Sequence, residues 1–273
     1  MSMNKPYKDL YIYEIEGDVP HPRSTFREDL LGHWSEGNVS YLFFSTEKKE
    51  EVEAYLNNYP ALSFRSETVI DYKDWESGKE LKPFRIGPLQ VSPIWEEPEK
   101  ADHAIHIKVD PLLAFGSGNH ATTKQCLEAL CFVYQEDRPQ RVLDLGCGTG
   151  ILAVAAAKLG AATVLAVDYS SLAVETAERN CHINGVVDIV QVKEGEAAEY
   201  LSWDAQLLLA NIRYYVIEEL MKSPHFKRKG WYVLSGLLRS EEEKLLTLLP
   251  DLSITVIKVL REGSWSTVVG RGL

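Results

Sequence analysis

The densest chemical signal in this chain of 273 residues is Asp144-Leu145-Gly146-Cys147-Gly148-Thr149-Gly150, which follows the apolar pair Val142-Leu143 and precedes an alanine-rich stretch, Ile151 to Leu159. Glycines at alternate positions allow backbone conformations that a side chain would block, and they let a ligand approach the main chain. In an open parallel sheet such a strand-to-helix turn lies at the carboxyl edge, where ligands bind. Asp168 ends the next predicted strand, about twenty residues on, where a carboxylate can accept hydrogen bonds from both hydroxyls of an adenosine ribose. The glycine spacing separates two ligand classes. A dinucleotide fingerprint is GxGxxG, with the pyrophosphate at the helix N-terminus. Here the glycines are Gly146, Gly148 and Gly150, and the preceding Asp144 would repel a pyrophosphate and attract an ammonium group.

A second run, Phe115-Gly116-Ser117-Gly118-Asn119-His120-Ala121-Thr122-Thr123, holds two glycines in a turn and two threonines where a helix begins. Threonine is a competent helix cap. His120 is either a loop residue bonded to nearby backbone or a wall of the site. Asn211 ends the buried apolar run Leu207-Leu208-Leu209-Ala210, and its amide offers both donors and acceptors at the ligand edge.

These residues need a frame. From about Ala101 the chain alternates strand and helix patterns. Helices are expected over Thr122 to Tyr134, Ile151 to Leu159 and Ser171 to Asn184. Strands are expected over Arg141 to Leu145, Ala162 to Val167, Ile189 to Val192, Gln206 to Leu209, Trp231 to Ser235, Ser253 to Val259 and Thr267 to Gly270. Alternation of this kind implies parallel crossovers and a doubly wound α/β sheet. Before it, Leu10 to Ile15 and Val39 to Phe44 read as strands and Glu47 to Leu56 as a helix, a small α+β module. Glu76 to Glu80 reads as a turn or linker, and Phe84 to Val91, bracketed by Pro83, Pro88, Pro93 and Pro98, as a hairpin or extended arm. The expected domains are residues 1–75 (N-terminal module), 76–100 (linker) and 101–273 (ligand-binding domain).

Composition narrows the function classes. With 45% hydrophobic and 25% charged residues the chain can build an ordinary core. No apolar run approaches the roughly 18–20 residues that cross a bilayer, and the first residues lack an apolar signal core. A cytoplasmic protein without membrane association is expected. The formal charge of -11 disfavours non-specific nucleic-acid binding and favours a neutral or basic partner. Cys126, Cys131, Cys147 and Cys181 form no CxxC pair or zinc spacing, so buried thiols and no metal are expected.

The order D-x-G-x-G-x-G resembles the S-adenosylmethionine (SAM) loop of class I methyltransferases. SAM carries an amino-acid end and a sulfonium instead of a pyrophosphate, which suits Asp144. The longer run FGSGNHATT resembles the FGTGxHxTT segment of the ribosomal protein L11 methyltransferases, the PrmA family. Further pieces agree in order: Pro83-Phe84-Arg85-Ile86-Gly87, Trp95-Glu96-Glu97-Pro98, Ala210-Asn211-Ile212, Leu234-Ser235-Gly236-Leu237-Leu238 and Gly263-Ser264-Trp265. The likeness runs from about Trp75 to the end and is weak before it.

The resemblance implies a class I methyltransferase fold, a Rossmann-like doubly wound sheet with a small N-terminal α+β domain that recognises the substrate. It implies SAM as cofactor and transfer of methyl groups to lysine or α-amino nitrogens of a large-subunit ribosomal protein. Carried over residue by residue, the SAM contacts fall on Thr123, Gly146, Asp168 and Asn211. The loop adds Asp144 and Gly148, and the preceding segment adds Phe115. No catalytic residue is assigned. Ser117 replaces the family's threonine, Gln206 stands where the family has an aspartate, and Arg213-Tyr214-Tyr215 replaces small or aliphatic residues near the acceptor. A methyltransferase acting on another protein lysine or on a small molecule, a SAM-binding protein without catalysis, and a nicotinamide dehydrogenase stay open as alternatives.

Overall fold

A computed structural model describes residues 8–20, 22–26, 29–72, 81–97 and 102–273. The chain divides after Glu80 into two compact units. In the first, strands β1 (Asp9–Glu16), β2 (Leu30–Glu36), β3 (Val39–Phe44) and β4 (Ser63–Asp71) form one sheet in the order β2-β3-β1-β4, and helices α1 (Pro22–Phe26) and α2 (Lys49–Leu56) connect them. Every pair is antiparallel. In α2, Val52, Tyr55 and Leu56 recur at helical spacing and bury one stripe, while Glu50 and Glu51 favour its N-terminal turn. That stripe meets Tyr13, Ile15, Leu42 and Phe44, the alternating inward residues of β1 and β3. Inside the unit the buried Ser40 hydroxyl donates to the Gly17 carbonyl (2.8 Å) and accepts the Val19 amide (3.1 Å).

The second unit opens with β5 (Phe84–Ile86), β6 (Leu89–Pro93) and β7 (Ile105–Val109), a three-stranded sheet. β5 and β6 form the hairpin expected over Phe84 to Val91. Residues 81–97 of the expected linker therefore belong to this unit, because β6 is buried along its whole length and pairs in parallel with β7. Residues 73–80 and 98–101, which include Glu76 to Glu80 and Pro98, lie outside the described residues.

The main frame follows as α3 (Ala121–Glu136), β8 (Arg141–Leu145), α4 (Ile151–Leu159), β9 (Thr163–Asp168), α5 (Ser171–Asn184), β10 (Val190–Glu194), α6 (Ala197–Tyr200), β11 (Leu207–Asn211), α7 (Tyr214–Met221), β12 (Trp231–Leu238), α8 (Arg239–Leu248), β13 (Ile254–Glu262) and β14 (Trp265–Gly272). The sheet order is β10-β9-β8-β11-β12-β14-β13. The first five strands in that order run parallel, and β14 is antiparallel to both neighbours. Strands buried on both faces read as unbroken apolar runs, as Leu207-Leu208-Leu209-Ala210 does. Val142, Leu207, Leu209 and Val233 pack on one face with α3 and α4. Leu143, Leu145, Leu208 and Ala210 pack on the other with α7 and α8. Gln206 caps this register: its side-chain oxygen accepts the amides of Gln140 (2.7 Å) and Arg141 (3.1 Å) at the start of β8.

The chain leaves β8 toward β9 and β10, then returns to β11 on the other side of β8. That reversal opens a crevice at the carboxyl ends of β8 and β11, the topological switch point where open α/β sheets bind ligands. Among the described residues no helix is long and apolar enough to cross a membrane. All four cysteines are buried as thiols.

The packing predicts a large response at β11. Leu209 is fully buried in the central sheet, so Leu209→Ala is expected to cost roughly 2–5 kcal/mol and to lower Tm by at least roughly 4 °C. Scanning calorimetry that showed an unchanged transition would refute the placement of β11 at the centre.

Candidate functional site

β8 delivers the glycine turn to the crevice. Gly146 and Gly148 adopt φ values of +70° and +53°, in the left-handed region. Both positions also lack room for a side chain. A Cβ on Gly146 would overlap the Ile212 side chain, and one on Gly148 would overlap the Phe115 carbonyl oxygen. The amides of Gly146 and Cys147 donate to the Val167 carbonyl (2.8 and 3.0 Å), which ties the turn to the end of β9.

The segment before α3 is laid on this turn by backbone contacts. The Thr149 amide donates to the Phe115 carbonyl (2.9 Å) and the Thr149 hydroxyl to the Gly116 carbonyl (2.8 Å). Asn180 of α5 locks the same place from behind. Its side-chain nitrogen donates to the carbonyls of Thr149 and Asp110, both at 2.9 Å, and its oxygen accepts the Asp110 amide at 2.8 Å. Arg179 adds an ion pair to Asp110 at 2.7 Å. FGSGNHATT and the glycine turn, some thirty residues apart in sequence, are therefore two walls of one construction.

Between them lies a cleft of about 820 Å³. Phe115, Gly146, Gly148, Asp168 and Asn211, five of the residues singled out in the sequence, line it together. Asp168 is nearly buried at the end of β9. One carboxylate oxygen accepts the Gly148 amide (2.9 Å) and the other the Ser170 amide (3.0 Å). Each oxygen keeps acceptor capacity for a ligand hydroxyl. Asn211 ends β11 at the cleft, and its side-chain oxygen is buried with no hydrogen-bond partner. Buried polar atoms are satisfied in the great majority of cases, so an unpartnered one on a residue that lines a cleft is a candidate ligand contact.

The other two residues sit behind the lining. Asp144 is fully buried beneath the turn, with no donor at hydrogen-bonding distance of its carboxylate. Thr123 is buried in the first turn of α3 with its hydroxyl unpartnered. Thr122 and His120 reach the cleft instead. His120 caps α3: its Nδ1 accepts the Thr122 amide (3.3 Å), which leaves the proton of the neutral ring on Nε2. The ring stands edge-on between Phe115 (5.4 Å between centroids) and Trp265 (4.8 Å). Burial pushes its pKa down, against an opposing pull from Glu262.

The structure adds lining residues that the sequence reading did not place in the site. Trp265 and Gly236 come from β14 and β12, and Tyr169 follows Asp168. Their motifs, GSW and LSGLL, were visible, but only tertiary folding brings the far end of the sheet back to the turn. Gly236 is needed because a Cβ there would overlap the Ile212 carbonyl. The charged groups in the lining, among the described residues, are Asp168, Glu196 and Arg213, beside the neutral His120. A second hollow of about 840 Å³, in the N-terminal unit, is lined by Lys48, Asp29 and Glu51 among others. Its lysine is already paired with both carboxylates, at 3.1 and 3.3 Å.

The sequence profile described as ribosomal protein L11 methyltransferase (PrmA) matches residues 16–272. The ribosomal protein L11 methyltransferase of Geotalea daltonii is 36% identical over 216 residues, covering 73% of this chain and 68% of that protein. That of Alkaliphilus metalliredigens is 33% identical over 207 residues, covering 74% and 65%. The chain thus spans about two thirds of the length of these relatives. The crystal structure of ribosomal protein L11 methylase from Lactobacillus delbrueckii subsp. bulgaricus superposes with a TM-score of 0.62 at 29% identity, covering 70% of this chain and 100% of that one. With the match running over nearly the whole chain and relatives above 30% identity, this chain belongs to the ribosomal protein L11 methyltransferase (PrmA) family.

Proposed function

We propose that the cleft binds SAM and that this chain transfers its methyl group to lysine or α-amino nitrogens of ribosomal protein L11. The observation that carries the reading is Asn211: a buried amide oxygen without a partner, on a residue that lines the same cleft as a glycine turn and an aspartate. The residues present fit SAM. Asp168 retains acceptor positions for the ribose hydroxyls. Gly146 and Gly148 leave the main chain open to a close ligand. The carboxylates of Asp144 and Asp168 suit a ligand with a cationic sulfonium and ammonium.

When bound, SAM supplies a methyl group on sulfur that leaves as a neutral thioether. The protein's part is to align, desolvate and exclude water. An acceptor lysine has an ordinary pKa of about 10.4 and attacks only as the neutral amine. Burial against Phe115 and Trp265 lowers that pKa. The Asn211 oxygen can accept an amine N–H and so fix the direction of the lone pair. His120 is not placed to remove the proton, since its Nδ1 is occupied by Thr122 and its Nε2 is a donor. The proton therefore leaves to water before attack. The N-terminal unit is the docking module for the protein substrate, and the reaction belongs to the cytoplasm, where ribosomal proteins are made.

The reading is tested by incubating the protein with methyl-labelled SAM and a ribosome-containing lysate from its own source. Label is expected in one large-subunit ribosomal protein, L11. Label confined to other proteins or to small molecules would reject that acceptor. Asp168→Ala is expected to weaken SAM binding at least about tenfold by calorimetry, because hydrogen bonds to a charged group contribute roughly 1.5–3 kcal/mol. Unchanged affinity would remove Asp168 from the ribose.

Asp144 gives a pH signature. Burial, then the charge of Asp168, pushes its carboxyl up to about 7. A carboxyl whose pKa is raised by folding binds its proton more tightly in the folded state. Stability therefore falls as pH rises from the unfolded value near 4 through 7. Asp144→Asn removes that fall, so the variant is expected to gain Tm over the parent at pH 8 and to gain less at pH 4. Equal differences at the two pH values would contradict the burial of an ionisable Asp144.

A further inference from the structure

Arg213 is the N-cap of α7, two residues after Asn211, and contributes to the cleft lining. It is exposed, and its guanidinium takes part in no hydrogen bond or ion pair among the described residues. Of the other arginines of the same unit, Arg141, Arg179 and Arg261 are paired, with Asp204, Asp110 and Glu242, whereas Arg138 and Arg228, which do not line the cleft, carry no side-chain ion pair among the described residues. Arg213 is also the one permanent cation in the lining among the described residues.

A guanidinium is always charged, and its planar fork matches a carboxylate. An acceptor lysine arrives as an ammonium, and an unpaired guanidinium beside its path repels it. The repulsion is removed if a carboxylate enters with the amine and pairs with Arg213. Tyr215 (63% exposed) and Phe115 (58% exposed) stand in the same lining and can cover such a pair. Partial exclusion of water strengthens an ion pair. Resting on the reading of the cleft as a site of amine methylation, we propose that Arg213 is a specificity-determining residue that selects lysines flanked by aspartate or glutamate.

The test uses the full chain, methyl-labelled SAM and the same lysate, with labelled amines located by mass spectrometry. Peptides around the labelled lysine are then compared with versions whose acidic neighbour is changed to lysine. The acid-flanked peptide is expected to be preferred about tenfold in kcat/KM, mainly through KM, the factor carried by about 1.4 kcal/mol. Arg213→Ala should bring the ratio close to unity, and Arg213→Glu should invert it, while the calorimetric Kd for SAM stays unchanged in both variants. Three outcomes overturn the proposal: labelled lysines without an acidic neighbour, a ratio that survives Arg213→Ala, or a loss of SAM affinity with the ratio intact. The last would place the guanidinium on the carboxylate of SAM. Label at an acid-flanked lysine of another protein would reject L11 as acceptor and leave this inference standing. Label at an unflanked lysine of L11 would do the reverse, and no label at any amine would reject both.

Discussion

The cleft depends on main chain meeting main chain at the turn after β8. Phe115 and Gly116 place their carbonyls where Thr149 donates to both, and this approach is open only because Gly148 has no side chain. The same Gly148 amide then donates to Asp168. One residue thus joins the end of β9, the turn itself and the segment leading into α3. A methyl group at this position would have to move one of the three. Because the contacts are backbone hydrogen bonds, they fix distances without relying on flexible side chains, and they leave the side chains of Asp168 and Asn211 to face a ligand.

Charge is arranged in depth around that turn. Asp144 lies beneath it, out of water and without a donor, and Asp168 lies at its surface with two backbone amides. Burial first, and the charge of Asp168 second, push the Asp144 carboxyl up to about 7. On the proposed reading, a cationic ligand in the cleft would offset part of the cost of burying Asp144, a linkage between ligand and fold that an uncharged pair would lack.

Much of this frame could be read before any coordinates. The parallel strands β8, β9 and β11 are short, apolar and closely followed by glycine, aspartate or asparagine, so their periodicity and their ends coincide. α4 and α5 matched the sequence boundaries at both ends. β4 and α8 were not legible, because neither presents a clear apolar stripe: Ser63 to Asp71 has no fully buried residue, and α8, mostly exposed, buries only Glu242 and Leu245. α7 was hidden by its aromatic start, Tyr214-Tyr215. Five candidate site residues meet in the cleft because each ends a strand or lies in a turn. Asp144 and Thr123 point into the core instead, since Asp144 precedes the end of β8 and Thr123 faces the sheet from α3. Spacing shows that a residue is near a site and does not show which side of the backbone it takes. Trp265 was visible as part of GSW, but nothing local connects it to His120, which lies 145 residues earlier in the sequence.

The floor and the rim of the cleft obey different constraints. On the floor, Gly146, Gly148 and Asp168 are tied to neighbours by conformation or hydrogen bonds, so a substitution there disturbs the fold as well as the site. On the rim, Phe115, Tyr169, Arg213 and Tyr215 are all exposed, and the guanidinium of Arg213 holds no partner among the described residues. Their replacement alters what the cleft accepts and leaves the sheet almost untouched. The floor keeps the glycine turn and aspartate that the family resemblance rests on, whereas the rim is where Arg213-Tyr214-Tyr215 departs from it. On the proposed reading, the floor holds the cofactor, the part of the reaction common to every acceptor. Acceptor choice, on the proposed reading of Arg213, belongs to the rim, where an exposed charge can be replaced without disturbing the turn beneath it.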